Sequence, residues 1–201
     1  MDNINQSIRK RPYFFIKRAL EQFHLYNGKN IVELGSMRQI CTHDLDDVSG
    51  DCCNDGHSSL LLARACSSFS TCDINKDSSR LTFNELKKHN LIAHSNVYNG
   101  DGITFLKQFQ GNIDLLYLDA WDVGTPQHAE KHLEAFQAAE SKLSRQNIIL
   151  IDDTDIRFTP ERGYHNDEES LEGKGAKLIP YLFAKGYNLL FKGRQTCLVS
   201  E

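Results

Sequence analysis

No stretch of this sequence is apolar for long enough to span a bilayer, and no apolar segment follows the N-terminus. Membrane partners are not expected, and the expected location is the cytoplasm. An excess of positive charge is missing as well. The chain holds 23 Lys and Arg against 27 Asp and Glu, a formal net charge of −4, so it has no general attraction for a phosphate backbone and nucleic acid is not an expected partner. The cluster Arg9, Lys10, Arg11, Lys17 and Arg18 is a local exception, read as the wet face of a first helix. A zinc spacing is also lacking. Cys41, His43, Cys52 and Cys53 fall close together, but adjacent Cys52 and Cys53 cannot easily share a tetrahedron, and a cytoplasmic chain keeps its 6 cysteines reduced. Internal repeats and low-complexity segments are absent too. What is present is an ordinary globular composition, 40% hydrophobic and 25% charged, in 201 residues that suffice for one domain over 1–201.

The apolar pattern alternates between strands and helices. Pro12 suits a first helical turn, Ile16, Ala19, Leu20, Phe23 and Tyr26 follow at helical spacing, and Gly28 is placed to end an N-terminal helix over 1–28. Strands are expected at 30–35, 69–73, 95–98, 113–119 and 148–151. Helices are expected from Ser58 to about 67, from Asp77 to about 89 with Phe83 and Leu86 inward, at 103–109, from Thr125 and Pro126 to Leu143, and at 176–185. Two short strands around Gly193 and Arg194 read as a hairpin. Two polar stretches, 36–56 and 154–173, read as long loops, and long loops in compact domains are often functional. Lys174 and Lys177 are read as the solvated face of the helix that follows. Such alternation implies an α/β fold with a mainly parallel sheet, helices on both faces and a C-terminal antiparallel hairpin.

Acidic residues end most of these strands: Glu33, Asp73, Asp119 and the pair Asp152–Asp153, with Asp101 shortly after the third. Aspartates often begin turns, which accounts for one or two of them but poorly for five points on one rim. Ligands of such sheets bind beyond the carboxyl ends of the strands. There Asp73 can accept hydrogen bonds from both hydroxyls of a ribose. Gly35 lets backbone and ligand approach. Gly56, His57 and Ser58 open a helix whose N–H groups favour an anionic group. The compact G-x-G-x-x-G turn of dinucleotide sites is missing, which favours a nucleoside without phosphates over a nicotinamide dinucleotide.

IVELGS (31–36), CDIN (72–75), NGDG (99–102) and LLYLDAWD (115–122) together resemble, in order, the four signatures of class I S-adenosylmethionine-dependent methyltransferases, over about residues 29–155. The resemblance implies a Rossmann-like fold and S-adenosylmethionine as cofactor. It implies that Glu33, Gly35 and Ser58 surround the methionine portion, that Asp73 holds the ribose, and that Ile74, Asp101, Gly102 and Trp121 frame the adenine. Ser36 and Asp119, within the first and fourth signatures, and Gly56 and His57, at the helix start, complete the implied contacts. The roughly 20 residues after Gly35 depart from the family, whose members commonly cross from strand to helix in a few.

The resemblance is nearest to metal-dependent O-methyltransferases of the catechol and macrolide-sugar type, which implies that Asp119, Asp152 and Asp153 hold magnesium. Three converging carboxylates are a hard-oxygen site, and a bound cation would acidify a substrate hydroxyl; the alternative is that Asp152 and Asp153 cap the next loop. Where those enzymes carry Lys or His, this chain has Asp122, the candidate general base, with His128 a second candidate; both also fit a plain turn. Trp121 also fits a core aromatic. Loops holding Arg38, His43, Arg157, Arg162 and His165 suggest a hydrophilic, hydroxylated small-molecule acceptor. The expectation is magnesium-assisted O-methylation, with a homodimer left open. The rivals are a metal-independent methyltransferase and a non-catalytic S-adenosylmethionine-binding protein.

Overall fold

Continuous apolar strands need cover on both faces, and the chain supplies it from alternate helices. The computed structural model describes residues 12–42, 57–166 and 173–200. Its strands are β1 (Asn30–Leu34), β2 (Ser68–Asp73), β3 (Ser95–Asn99), β4 (Ile113–Leu118), β5 (Leu143–Ile151), β6 (Ile156–Thr159), β7 (Gly163–Asn166), β8 (Asn188–Phe191) and β9 (Thr196–Val199). Its helices are α1 (Pro12–Leu25), α2 (Ser58–Ala65), α3 (Lys76–Lys88), α4 (Gly102–Gln108), α5 (His128–Ala139) and α6 (Leu178–Ala184). Seven strands form one sheet in the order β3-β2-β1-β4-β5-β9-β8. The first five are parallel, and β9 runs antiparallel to both β5 and β8. This is the expected Rossmann-like sheet with its C-terminal antiparallel hairpin. None of the helices described is long and apolar enough to cross a membrane.

Period-two alternation sorts the core into two layers. Ile31, Leu115, Tyr117, Ile148 and Leu150 pack with Phe15, Ile16 and Phe23 of α1, Leu60 of α2 and Leu86 of α3. Val32, Leu34, Leu116, Leu118, Ile149 and Ile151 pack with Leu106 of α4, Phe136 of α5 and Leu178 and Leu182 of α6. Glu33 shares its parity with Ile31 and is therefore turned under the sheet, toward α2. Each side chain of this size contributes roughly 1.5–3 kcal/mol when buried, so both layers are needed.

Five local expectations change. Phe83 is 46% exposed, because the inner row of α3 is Ser79, Thr82, Glu85 and Leu86, one helical step away. The helix expected from Thr125 begins at His128, since Gln127 takes a left-handed φ of 60°; Thr125 and Pro126 form a turn over Asp122 instead. Leu143 starts β5 rather than ending that helix. Within 154–173, β6 and β7 pair as an antiparallel hairpin that periodicity in so short a polar stretch did not disclose. Residues 36–42 are not simply a polar loop: Met37 is wholly buried and its N–H donates to Thr82 Oγ1 at 2.9 Å, while Cys41 joins the core. The rest of that stretch, with His43, Cys52 and Cys53, lies outside the described residues.

Candidate active site

Parallel register brings the ends of β1, β2, β3 and β4 to one rim, and a cleft of about 250 Å³ opens there. Gly35, Ser36, Asp73, Ile74, Asp101, Gly102, Asp119, Trp121 and Asp122 line it, together with Arg38, Cys72, Asn75, Ser78 and Ala120. Most of the cofactor contacts expected from the sequence thus meet around one space. Three others do not. Glu33 is buried beneath the cleft, where its carboxylate accepts from Ser58 Oγ and Ser59 Oγ, both at 2.6 Å. It and Ser58 therefore hold α2 against β1, and His57, buried at the start of α2, sits with them. Gly56 lies outside the described residues. Burial pushes the Glu33 carboxyl up to about 8, against the pull of the serine hydroxyls.

Asp73 is the central group of the open side. One carboxylate oxygen accepts from Ser36 N–H at 2.9 Å and Ser36 Oγ at 3.2 Å, and the other from Asn75 N–H at 2.7 Å. Of the roughly four acceptor positions of a carboxylate, these use three. A diol that took two would displace the Ser36 hydroxyl, the longest of the contacts. Ile74, beside it, is 78% exposed at the cleft's lip, an apolar surface suited to a flat ring. Asp101 caps α4 by accepting from Thr104 N–H at 2.8 Å, which lowers its pKa. Gly35 sits at φ 93°, and a β-carbon there would stand 2.7 Å from the Asp119 carbonyl oxygen. The close approach it permits is between the ends of β1 and β4.

The acidic side is built differently. Asp119, Asp152 and Asp153 each offer an oxygen within 4.8 Å of the others, as three magnesium ligands would. Into that space comes Lys174, whose side chain is 0% exposed. Its ammonium lies 2.6 Å from Asp119 Oδ1 and 3.3 Å from Asp153 Oδ2, and donates to the Asp119 carbonyl at 3.4 Å. Burial alone would lower the ammonium's pKa; the three carboxylates outweigh it and hold the pKa above the ordinary range. Arg194 adds a contact of 2.8 Å to Asp153 Oδ1 and one of 4.0 Å to Asp152. Gln195 Nε2 donates to Asp152 Oδ1 at 2.6 Å. Burial and the Asp119 charge raise Asp152 to about 6. The donor chemistry suits magnesium, but an ion on the same oxygens would overlap the ammonium. The expected metal trio therefore does not fit magnesium as it stands, and the reading of Lys174 as a solvated residue is corrected.

Trp121 and Asp153 both adopt φ 47°. For residues other than glycine this costs on the order of 1–3 kcal/mol each, and such strain collects at functional sites. Trp121 packs edge-on against His132, with ring centroids 5.3 Å apart. His132 is held neutral by burial, its pKa lowered to about 3. Its Nδ1 meets the His128 carbonyl at 2.6 Å, so that nitrogen carries the hydrogen. Trp121 thus serves both readings, lining the cleft on one side and packing on the core with the other.

Of the two candidate bases, Asp122 lines the cleft and His128 does not. Asp122 is paired with Arg38 at 3.3 Å, both side chains about half exposed. His128 Nδ1 faces the Thr125 carbonyl at 3.1 Å, and its Nε2 has no hydrogen-bond partner among the described residues. On the acidic side sequence reasoning missed Lys174, Arg194 and Gln195, and around the cleft it missed Cys72, Asn75, Ser78 and Ala120. On the acidic side only Gly173-Lys174-Gly175 carries a signal. A β-carbon at Gly173 would collide with the Asp153 carbonyl, and one at Gly175 with the Ile179 side chain, so glycines on both sides let the Lys174 backbone press against β5's end.

No family model and no curated protein matches this sequence. Solved structures do. An O-methyltransferase from Bacillus cereus, in complex with S-adenosylhomocysteine, superposes with a TM-score of 0.63 at 15% identity over 93% of this chain and 81% of that one. The O-methyltransferase of Streptomyces achromogenes involved in tomaymycin synthesis, in complex with S-adenosylmethionine, gives 0.60 at 15% identity over 93% and 80%. Magnesium protoporphyrin IX methyltransferase from Synechocystis, with bound S-adenosylmethionine, gives 0.55 at 15% identity over 94% and 79%. At this identity the likeness is one of fold, and the fold is the Rossmann-like one of class I methyltransferases.

Proposed function

We propose that this protein is an S-adenosylmethionine-dependent methyltransferase that methylates a hydroxyl of a small polar acceptor. The observation that carries the reading is the cleft itself: four separate sequence signatures, far apart in the chain, converge on one space with the Asp73 carboxylate at its centre. The cleft combines a carboxylate acceptor with apolar walls from Ile74 and Trp121, and among the described residues no phosphate-binding turn lines it, which is the chemistry of a nucleoside ligand. S-adenosylmethionine would bind with its ribose on Asp73 and its adenine between Ile74, Asp101, Gly102 and Trp121. When bound it supplies a methyl group on a sulfonium sulfur.

The chain's own part is to align and to accept a proton. Fixing donor and acceptor in line within the cleft lowers the barrier without further chemistry. Asp122, on the cleft wall, can take the acceptor's hydroxyl proton, and Arg38 tethers it there. Arg38 and Asp122 also give the mouth a polar character that favours a hydroxylated acceptor. Of the metal-assisted and metal-independent forms of this reaction, the second is favoured, because Lys174 already supplies the cation that the aspartates require.

Calorimetric titration with S-adenosylhomocysteine tests the reading. Wild-type protein should bind at micromolar concentration, and Asp73→Ala should weaken binding about 10- to 100-fold, roughly 1.4–2.7 kcal/mol. Absence of binding to wild type would remove the proposal.

A further inference from the structure

The aspartates beyond β4 and β5 lie where a divalent ion is expected, yet their charge is already answered from inside the chain. Lys174 Nζ donates to Asp119 Oδ1 and to the Asp119 carbonyl and forms an ion pair with Asp153 Oδ2. The side chain is wholly buried. Arg194 answers a second charge, so two cations face three carboxylates and leave one net negative charge. The position is built rather than incidental. The Lys174 N–H donates to the Asp153 carbonyl at 3.2 Å, and Gly173 is the residue whose missing β-carbon permits that approach.

We propose that Lys174 is the resident cation of this cluster, taking the place of a divalent metal, so that the protein holds Asp119, Asp152 and Asp153 together without one. Lys174 is then a positioning residue. Its ammonium fixes the Asp119 carboxylate and carbonyl at the cleft floor beside Trp121, and it meets neither cofactor nor acceptor. The inference needs only the cluster's geometry and stands apart from the methyltransferase reading.

The test uses Mn²⁺ alone, followed by electron paramagnetic resonance of the free ion and by calorimetry. Wild-type protein should leave millimolar Mn²⁺ free. Lys174→Met, which keeps the length and removes the charge, should gain one Mn²⁺ site at least tenfold tighter than any in wild type, and the further change Asp153→Asn should abolish that gain. Two results would overturn the proposal: sub-millimolar binding by wild type that Asp153→Asn removes, or a folded Lys174→Met protein with no gain. If Lys174→Met does not fold, wild type against Asp153→Asn still decides, because a metal site in the native cluster would show as Mn²⁺ binding lost in the variant. Binding of S-adenosylhomocysteine, measured on the same samples without metal, keeps a failure here separate from a failure of the cofactor site.

Discussion

Asp73, at the end of β2, and Asp153, just past the end of β5, stand on the same rim of one sheet. The first is held by two backbone N–H groups and a serine hydroxyl; the second is held by Lys174 and Arg194. The first borders an open cleft, and the second is sealed among buried charges. Identical residue types at equivalent strand ends thus take opposite parts. A carboxylate held by neutral donors at an open edge can still meet a ligand, whereas one buried between cations is shut away from it. The difference lies in what the next loops deliver: Ser36 and Asn75 on one side, the Gly173–Gly175 segment and the β8–β9 turn on the other.

The largest effect should come from removing the cation on the sealed side. Lys174→Met leaves buried carboxylates uncompensated and should cost about 3–5 kcal/mol in urea unfolding. A loss below about 1 kcal/mol would show that the aspartates simply take up protons, and the contrast with Asp73 would collapse. Asp153→Asn, which leaves two carboxylates facing two cations, should cost less than Lys174→Met in the same assay.

A smaller effect concerns Glu33, a buried carboxyl beneath the open side that accepts from two serine hydroxyls. Its folded pKa of about 8 lies above the ordinary 4.5, so between these values the native state holds a proton that the unfolded chain has lost. The stability this contributes is complete below about pH 4.5 and is lost as pH rises toward 8, at up to roughly 1.4 kcal/mol per pH unit. Glu33→Gln should remove that slope, and its stability relative to wild type should climb steadily from pH 5 to pH 8. An unchanged difference across the range would mean that Glu33 is ionised in the native state. The smallest effect belongs to the cleft mouth. Arg38→Ala breaks a half-exposed pair with Asp122 and should change stability by less than about 1 kcal/mol, with little change in S-adenosylhomocysteine affinity.

Much of the open side was legible in the chain. Gly35, Ser36, Asp73, Asp101, Gly102 and Trp121 follow strands whose apolar runs are strong local signals, and parallel pairing must bring such strand ends together. The sealed side was half legible. Asp119, Asp152 and Asp153 were found by the same rule, but their partners were not, because Lys174 lies 55 positions from Asp119, and three strands and a helix separate Asp153 from Arg194. A lysine before a helix looks the same in sequence whether it meets water or three carboxylates. The phase of α3 misled at Phe83 for a related reason: a lone aromatic outweighed the quieter row of Ser79, Thr82, Glu85 and Leu86 that the sheet actually receives.

Local sequence by itself determined the alternation of the main sheet's strands with its helices, the two-sided burial of that sheet, and the acidic rim, because backbone periodicity and strand-end chemistry act over a few residues. Tertiary structure alone decided which aspartates stay open to a ligand and which are neutralised, since a buried ion pair depends on where distant segments of the chain come to rest.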